Sequence, residues 1–170
     1  MKLPSIDLLL RQARETLLRF PLVLLSALIG AYSMMRVIGF SRDYYMLHSQ
    51  GWFNVVMTCS LGIPLFLAFV LYSEKRGHSA AKKLLFQAIP LLILLAFYFS
   101  LSKEDNFTDI GRYFLYLIAF HLFVSFSPFV TGDKDQIRFW DFNQKIFLRF
   151  VLSALYSGVL YAGLAIALLA

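Results

Sequence analysis

The sequence predicts an all-α protein, a polytopic transmembrane bundle of about five helices, and three observations predict it. The first is composition: of 170 residues 59% are hydrophobic and 15% charged, and mean hydropathy is +0.69. A chain this short has more apolar surface than a single aqueous core can hide, so the excess calls for the hydrocarbon of a bilayer as its solvent. The second is the occurrence of five long gaps between charged residues. The third is the way basic residues alternate between the connecting segments. Period-two alternation is absent, and isolated strands cannot satisfy their backbone groups in lipid, so the spans are helices.

A crossing needs roughly 20 apolar residues, and the expected spans are about 20–38, 55–72, 84–101, 113–130 and 148–170. The first apolar gap, Phe20 to Met35, is slightly short, but Arg19 and Arg36 at its ends have stems long enough to reach the headgroups. The gap from Tyr44 to Ser73 exceeds one crossing, and Val55 to Tyr72 is its continuously apolar part.

Twelve of the sixteen Lys and Arg residues fall before the first span (Lys2, Arg11, Arg14, Arg19), between the second and third (Lys75, Arg76, Lys82, Lys83) and between the fourth and fifth (Lys134, Arg138, Lys145, Arg149). The other two loops carry only Arg36 and Arg42, then Lys103 and Arg112. The positive-inside rule places the richer set, and so the N-terminus, in the cytoplasm and the C-terminus outside, in the cytoplasmic (inner) membrane. The net charge of +6 is thus a topology signal and a contact with lipid headgroups, which speaks against nucleic acid as a partner.

Two segments flank the spans. Residues 1–19 form an interfacial amphipathic segment, with Ile6, Leu9, Leu10, Ala13 and Leu17 at helical spacing. The rival reading, a cleaved signal peptide, lacks a small-x-small site before Arg36 and has too long a basic region. Between the fourth and fifth spans, Thr131-Gly132-Asp133 reads as a turn, and the mixed stretch after it as a separate interfacial helix anchored by Trp140.

Chemistry-bearing residues are few. His121 stands in the middle of the fourth span, and Ser125 follows one turn later; with Ser60 they form the expected intramembrane polar site, a stripe facing the bundle. Its sharper reading is a proton relay or solute-binding donor, its simpler one a neutral imidazole bonded to a neighbouring helix. No carboxylate sits within the spans to take the proton, which favours the simpler. Pro64 and Pro90 free the carbonyls of Ser60 and Phe86 and predict kinks. Small residues at four-residue spacing, Ser26 and Gly30, then Ala154, Gly158 and Ala162, predict close helix packing, within the chain or in a homo-oligomer. Asn106-Phe107-Thr108 matches a three-residue glycosylation pattern, and Glu104, Asp105 and Asp109 read as a solvated loop.

Several chemistries are disfavoured. The single cysteine, Cys59, allows no intrachain disulfide or CxxC site. His48, His78 and His121 fall at three membrane depths and cannot share one ion. HExxH, GxSxG and phosphate-binding glycine loops are missing, so no catalytic residue, metal or cofactor is expected.

The run Phe139-Trp140-Asp141-Phe142-Asn143, continued by Phe147-Leu148-Arg149-Phe150 and on through Ala165, resembles a characteristic stretch of the bacterial domain-of-unknown-function 4153 family. Leu18-Arg19-Phe20-Pro21 is similar to the start of those proteins. The resemblance implies a polytopic bacterial membrane protein; with the abrupt apolar end at Ala170 it leads to the expectation of an N-terminal portion of a longer chain, beside further transmembrane helices. It brings no activity or cofactor. The functional expectation is a membrane-embedded sensing or organising module. The alternative is part of a secondary transporter with a midplane site near His121, Pro64 and Pro90, and a lipid-modifying enzyme comes last.

Overall fold

A computed structural model describes residues 6–39, 42–102, 106–130 and 136–169. Among them every regular element is a helix: α1 (Ile6–Arg19), α2 (Pro21–Ile38), α3 (Arg42–Lys75), α4 (Ala80–Ser100), α5 (Phe107–Phe126), a 3₁₀ turn (Ser127–Phe129) and α6 (Gln136–Leu169). Five stretches are long and apolar enough to cross a membrane: Pro21–Ile38, Gln50–Lys75, Ala81–Ser100, Phe107–Phe129 and Gln136–Leu168. The chain divides into two compact units, Met1–Thr131 and Gly132–Ala170.

In the first unit α3 is the helix against which α2, α4 and α5 all pack. It is 44% buried along its apolar window, whereas no other candidate span exceeds 17%. Its core side chains Met57, Leu61 and Leu65 follow one another at four-residue spacing, joined by Phe66 and met by Leu94, Phe97 and Leu101 from α4 and its end. Bringing α2 close takes small residues. A Cβ added at Gly62 would lie 2.8 Å from Ser26 Oγ, and one at Gly30 would lie 3.2 Å from Cys59 Cβ. Ser26 and Ser33 are buried in the same contact. Between apolar helices in lipid such contacts supply attraction that water would otherwise drive.

Local chemistry sets the ends of these helices. Pro21 at the start of α2 lacks an N–H that would have no partner there anyway. After α3, Gly77 takes φ +63; its N–H donates to the Glu74 carbonyl and that of His78 to the Ser73 carbonyl, at 3.0 and 3.2 Å. This left-handed glycine cap ends the helix and turns the chain into α4. The His78 ring seals the hairpin, 4.8 Å from the ring of Phe86 and 6.5 Å from that of Tyr72. At the other end of the unit Asn54 Nδ2 donates to the Ser102 carbonyl at 3.0 Å, while the Ser102 N–H donates to Asp109 at 2.8 Å. Asp109 is buried and also meets Arg112 at 3.5 Å, so it holds the α4–α5 connection and is not part of a solvated acidic loop. Asn106 caps α5 by accepting from the Thr108 N–H at 3.0 Å, a structural use of the sequon residues. Glu104 and Asp105 lie outside the described residues.

Other expectations need correction. The helix of the second span begins at Arg42, well before residue 55, so His48 sits in a helix and not in a loop. No correction falls on Pro64 and Pro90, the two expected kink positions: both are buried, inside helices that continue past them as a proline kink allows. In the second unit no separate interfacial helix precedes the last span: Gln136–Leu169 is one helix, with Trp140 exposed on its first turns. The turn residues 131–133 lie outside the described set.

Gly62→Ala should lower the melting temperature in detergent by the equivalent of about 1–3 kcal/mol, because the added methyl overpacks the α2–α3 contact. Gly111→Ala, where a Cβ meets nothing within 4 Å, should be neutral or stabilising through helix propensity. Equal behaviour of the two variants in a thermal melt would contradict the close approach.

Candidate functional site

The expected midplane site does not assemble. His121 is exposed, and its Nδ1 lies 2.8 Å from the Leu117 carbonyl of its own helix. Ser125 Oγ is 3.5 Å from the His121 carbonyl, again along α5. Ser60 faces a different partner: its hydroxyl donates to the Met57 carbonyl at 2.8 Å and lies 3.0 Å from the hydroxyl of Tyr113, which can donate to it. Tyr113 and His121 are eight residues apart on α5, about 12 Å along the axis. The stripe expected to point into the bundle therefore divides into a satisfied α3–α5 bridge and an outward imidazole. Of the small residues, Ser26 and Gly30 pack tightly on α3; Ala154, Gly158 and Ala162 lie on the single helix of the second unit, where Ala154 and Ala162 are exposed and a Cβ at Gly158 meets nothing within 4 Å. Among the described residues no cluster of three His, Cys, Asp or Glu is placed to hold a metal.

Unmet polar groups gather elsewhere, where the ends of α1 and α3 meet the beginnings of α2 and α4. A cavity of about 310 Å³ opens there, with Arg19, Ser73, Glu74, Lys83 and Gln87 among its lining residues. Arg19 and Glu74 form a two-pronged pair across it, Nε to Oε1 at 2.7 Å and Nη2 to Oε2 at 2.6 Å. The Arg19 guanidinium also lies over the Phe20 ring, 4.9 Å from its centre. The hydrogen bonds it donates to Glu74, with that carboxylate's charge, raise the guanidinium above its ordinary value against a smaller lowering by burial. For a raised base the stabilisation is complete below its unfolded value and is lost only as pH climbs through the folded one, so Arg19 stays cationic throughout the biological range.

Behind this pair, Ser73 is 1% exposed, and its Oγ has no hydrogen-bond partner among the described residues; nor has the buried Oε1 of Gln87. An unpaired buried polar atom costs on the order of 1–3 kcal/mol. Both residues line one cavity, which makes that cavity a place where an additional partner would offset the cost. Leu22 and Phe66 form part of its wall and also line a second cavity of about 250 Å³, whose other lining residues include Leu25, Ile29, Leu91 and Leu95. The two cavities thus run along the flank of α3, from one that mixes charged and polar side chains with apolar ones to one that is almost wholly apolar.

The sequence reading missed Ser73, Lys83 and Gln87 as site residues. The available signal was the concentration of polar residues within one turn of the ends of apolar stretches, where Ser73-Glu74, Lys83 and Gln87 all sit. Comparisons with protein-family models, curated proteins and solved structures find no match for this chain.

Reversing one charge, Arg19→Glu or Glu74→Arg, should lower the melting temperature, and the double swap should recover most of the loss. The coupling is about 1 kcal/mol or less, because the pair is partly solvated, and it shrinks in high salt. Additive losses with no recovery would show that the two side chains act independently. His121→Phe should leave stability within about 0.5 kcal/mol of the parent; a larger drop in the thermal melt would mean that the imidazole holds a tertiary contact.

Proposed function

We propose that the chain is the membrane-embedded module of a multi-pass protein of the cytoplasmic (inner) membrane, with a cytoplasmic N-terminus, and that it senses or organises components at that membrane. The single observation that carries the role is the position of the unmet polar groups. They lie at the helix ends where Arg19, Lys75, Arg76, Lys82 and Lys83 concentrate, while the midplane groups Ser60 and His121 already have hydrogen-bond partners. A transporter needs open polar groups at mid-depth; a module that reads or gathers molecules at one surface needs them at that surface. The resemblance of Phe139–Ala165 to the domain-of-unknown-function 4153 proteins supports the bacterial inner-membrane setting, and the basic loops support the orientation.

Alkaline phosphatase fused after residue 105 or 170 should be active, and fused after residue 77 or 133 inactive. A cytoplasmic reporter at the same points should show the opposite pattern. Phosphatase activity at residue 77 would overturn the orientation, and a pattern that fails to alternate would overturn the number of crossings.

A further inference from the structure

The geometry points to a binding site for one phospholipid, with an anionic phosphodiester and hydroxyl-bearing headgroup beside Ser73, Lys83 and Gln87, and an acyl chain in the apolar cavity beneath. Three observations converge on it. The first cavity, where the charged and polar side chains Arg19, Ser73, Glu74, Lys83 and Gln87 meet apolar ones, lies at the helix ends, the depth of the headgroups, and Leu22 and Phe66 join it to an apolar cavity on the inner side. Head over tail is the shape of an amphiphile. The second observation is the need of the site: Ser73 Oγ and Gln87 Oε1 are buried without partners. A phosphodiester oxygen accepts from the Ser73 hydroxyl, and a headgroup hydroxyl donates to Gln87. Rotating the Gln87 carboxamide by 180° exchanges its donor and acceptor and still leaves a group for the lipid to satisfy.

The third is charge. Arg19 and Lys83 against Glu74 leave the lining one unit positive, which matches a singly charged phosphodiester. Water would satisfy the two orphaned atoms but not this charge. A choline headgroup adds a cation and offers no N–H or O–H to Gln87, so it fits poorly. The cavity volume of about 310 Å³ is at the lower end for small-molecule sites. It admits a headgroup and not a whole two-chain lipid, whose second chain stays in the bilayer.

The site rests on the membrane-embedded reading but not on the orientation, since a chain inserted the other way would bind the lipid in the opposite leaflet. The test uses the full chain in mixed micelles of a neutral detergent, with affinity and melting temperature measured against phosphatidylglycerol, phosphatidylcholine and free glycerol phosphate. Phosphatidylglycerol should bind one per chain and raise the melting temperature, phosphatidylcholine should bind about tenfold more weakly, and glycerol phosphate at equal concentration should not shift the melt. Lys83→Gln, and separately the double variant Ser73→Ala with Gln87→Leu, should weaken phosphatidylglycerol about tenfold while keeping the lipid-free helical spectrum. A merely structural role for these atoms would leave lipid affinity unmoved, and losing unpaired oxygens would raise the lipid-free melting temperature. Equal affinity for the two lipids, unchanged affinity in Lys83→Gln, or a shift from glycerol phosphate as large as that from the lipid would each overturn the proposal, the last by reassigning the cavity to a soluble phosphate compound. If the double variant does not fold, Lys83→Gln at the rim decides alone.

Discussion

The architecture of the first unit depends on how near α2 can come to α3. In hydrocarbon no water is released when two apolar helices meet, so association rests on van der Waals contact and on the few polar groups that find partners. Gly62 and Ser26, then Gly30 and Cys59, let the two backbones approach until a single added methyl at Gly62 would collide with Ser26 Oγ. Everything downstream inherits that spacing. It brings Arg19, the last residue of α1 just before α2, within reach of Glu74 near the end of α3, and it leaves the flank between α2 and α4 open where Leu22 and Phe66 join the two cavities.

The two ends of this unit manage polar groups differently. At the α4–α5 end, Asn54 and Asp109 take both backbone groups of Ser102, and Asn106 closes the first turn of α5. At the other end the glycine cap at Gly77 satisfies the Glu74 and Ser73 carbonyls, yet the Ser73 side chain and the Gln87 oxygen stay unmet. The backbone carbonyls of Ser73 and Glu74 and both backbone groups of Ser102 are thus satisfied, and what stays unmet here is on side chains. Of the three such atoms among the described residues, Ser73 Oγ and Gln87 Oε1 belong to residues that line one opening with two cations and a carboxylate, while the third, His78 Nδ1, sits beside the rings of Tyr72 and Phe86.

Much of the fold was legible because the signals are one-dimensional. Runs of apolar residues mark helices able to cross a bilayer. What was not legible is direction. A helix surrounded by lipid on one side and apolar neighbours on the other shows little contrast between its faces, so His121 and Ser125 could be placed by depth but not by azimuth. Gly30 has its neighbour on α3, whereas Gly158 lies on the single helix of the second unit, where a Cβ meets nothing within 4 Å. Asp109 was misread because a carboxylate next to Glu104 and Asp105 resembles solvated loop until the Ser102 N–H is known to point at it. The candidate site was the least legible part, since its members come from four helices and only the fold brings Arg19 to Glu74, 55 positions away in sequence.

The continuity of α6 has a mechanical consequence. Its 34 residues extend about 51 Å, whereas the hydrocarbon is about 30 Å thick. The apolar Phe150–Leu169 stretch fills that thickness by itself, so the turns bearing Arg138, Trp140, Asp141 and Lys145 form a stiff arm of about 21 Å in the interface and beyond. With no break at the boundary, this arm cannot lie flat while the span stands upright. As rigid geometry, a change of about 10° in the tilt of such a helix would carry the far tip of this arm roughly 3.5 Å sideways.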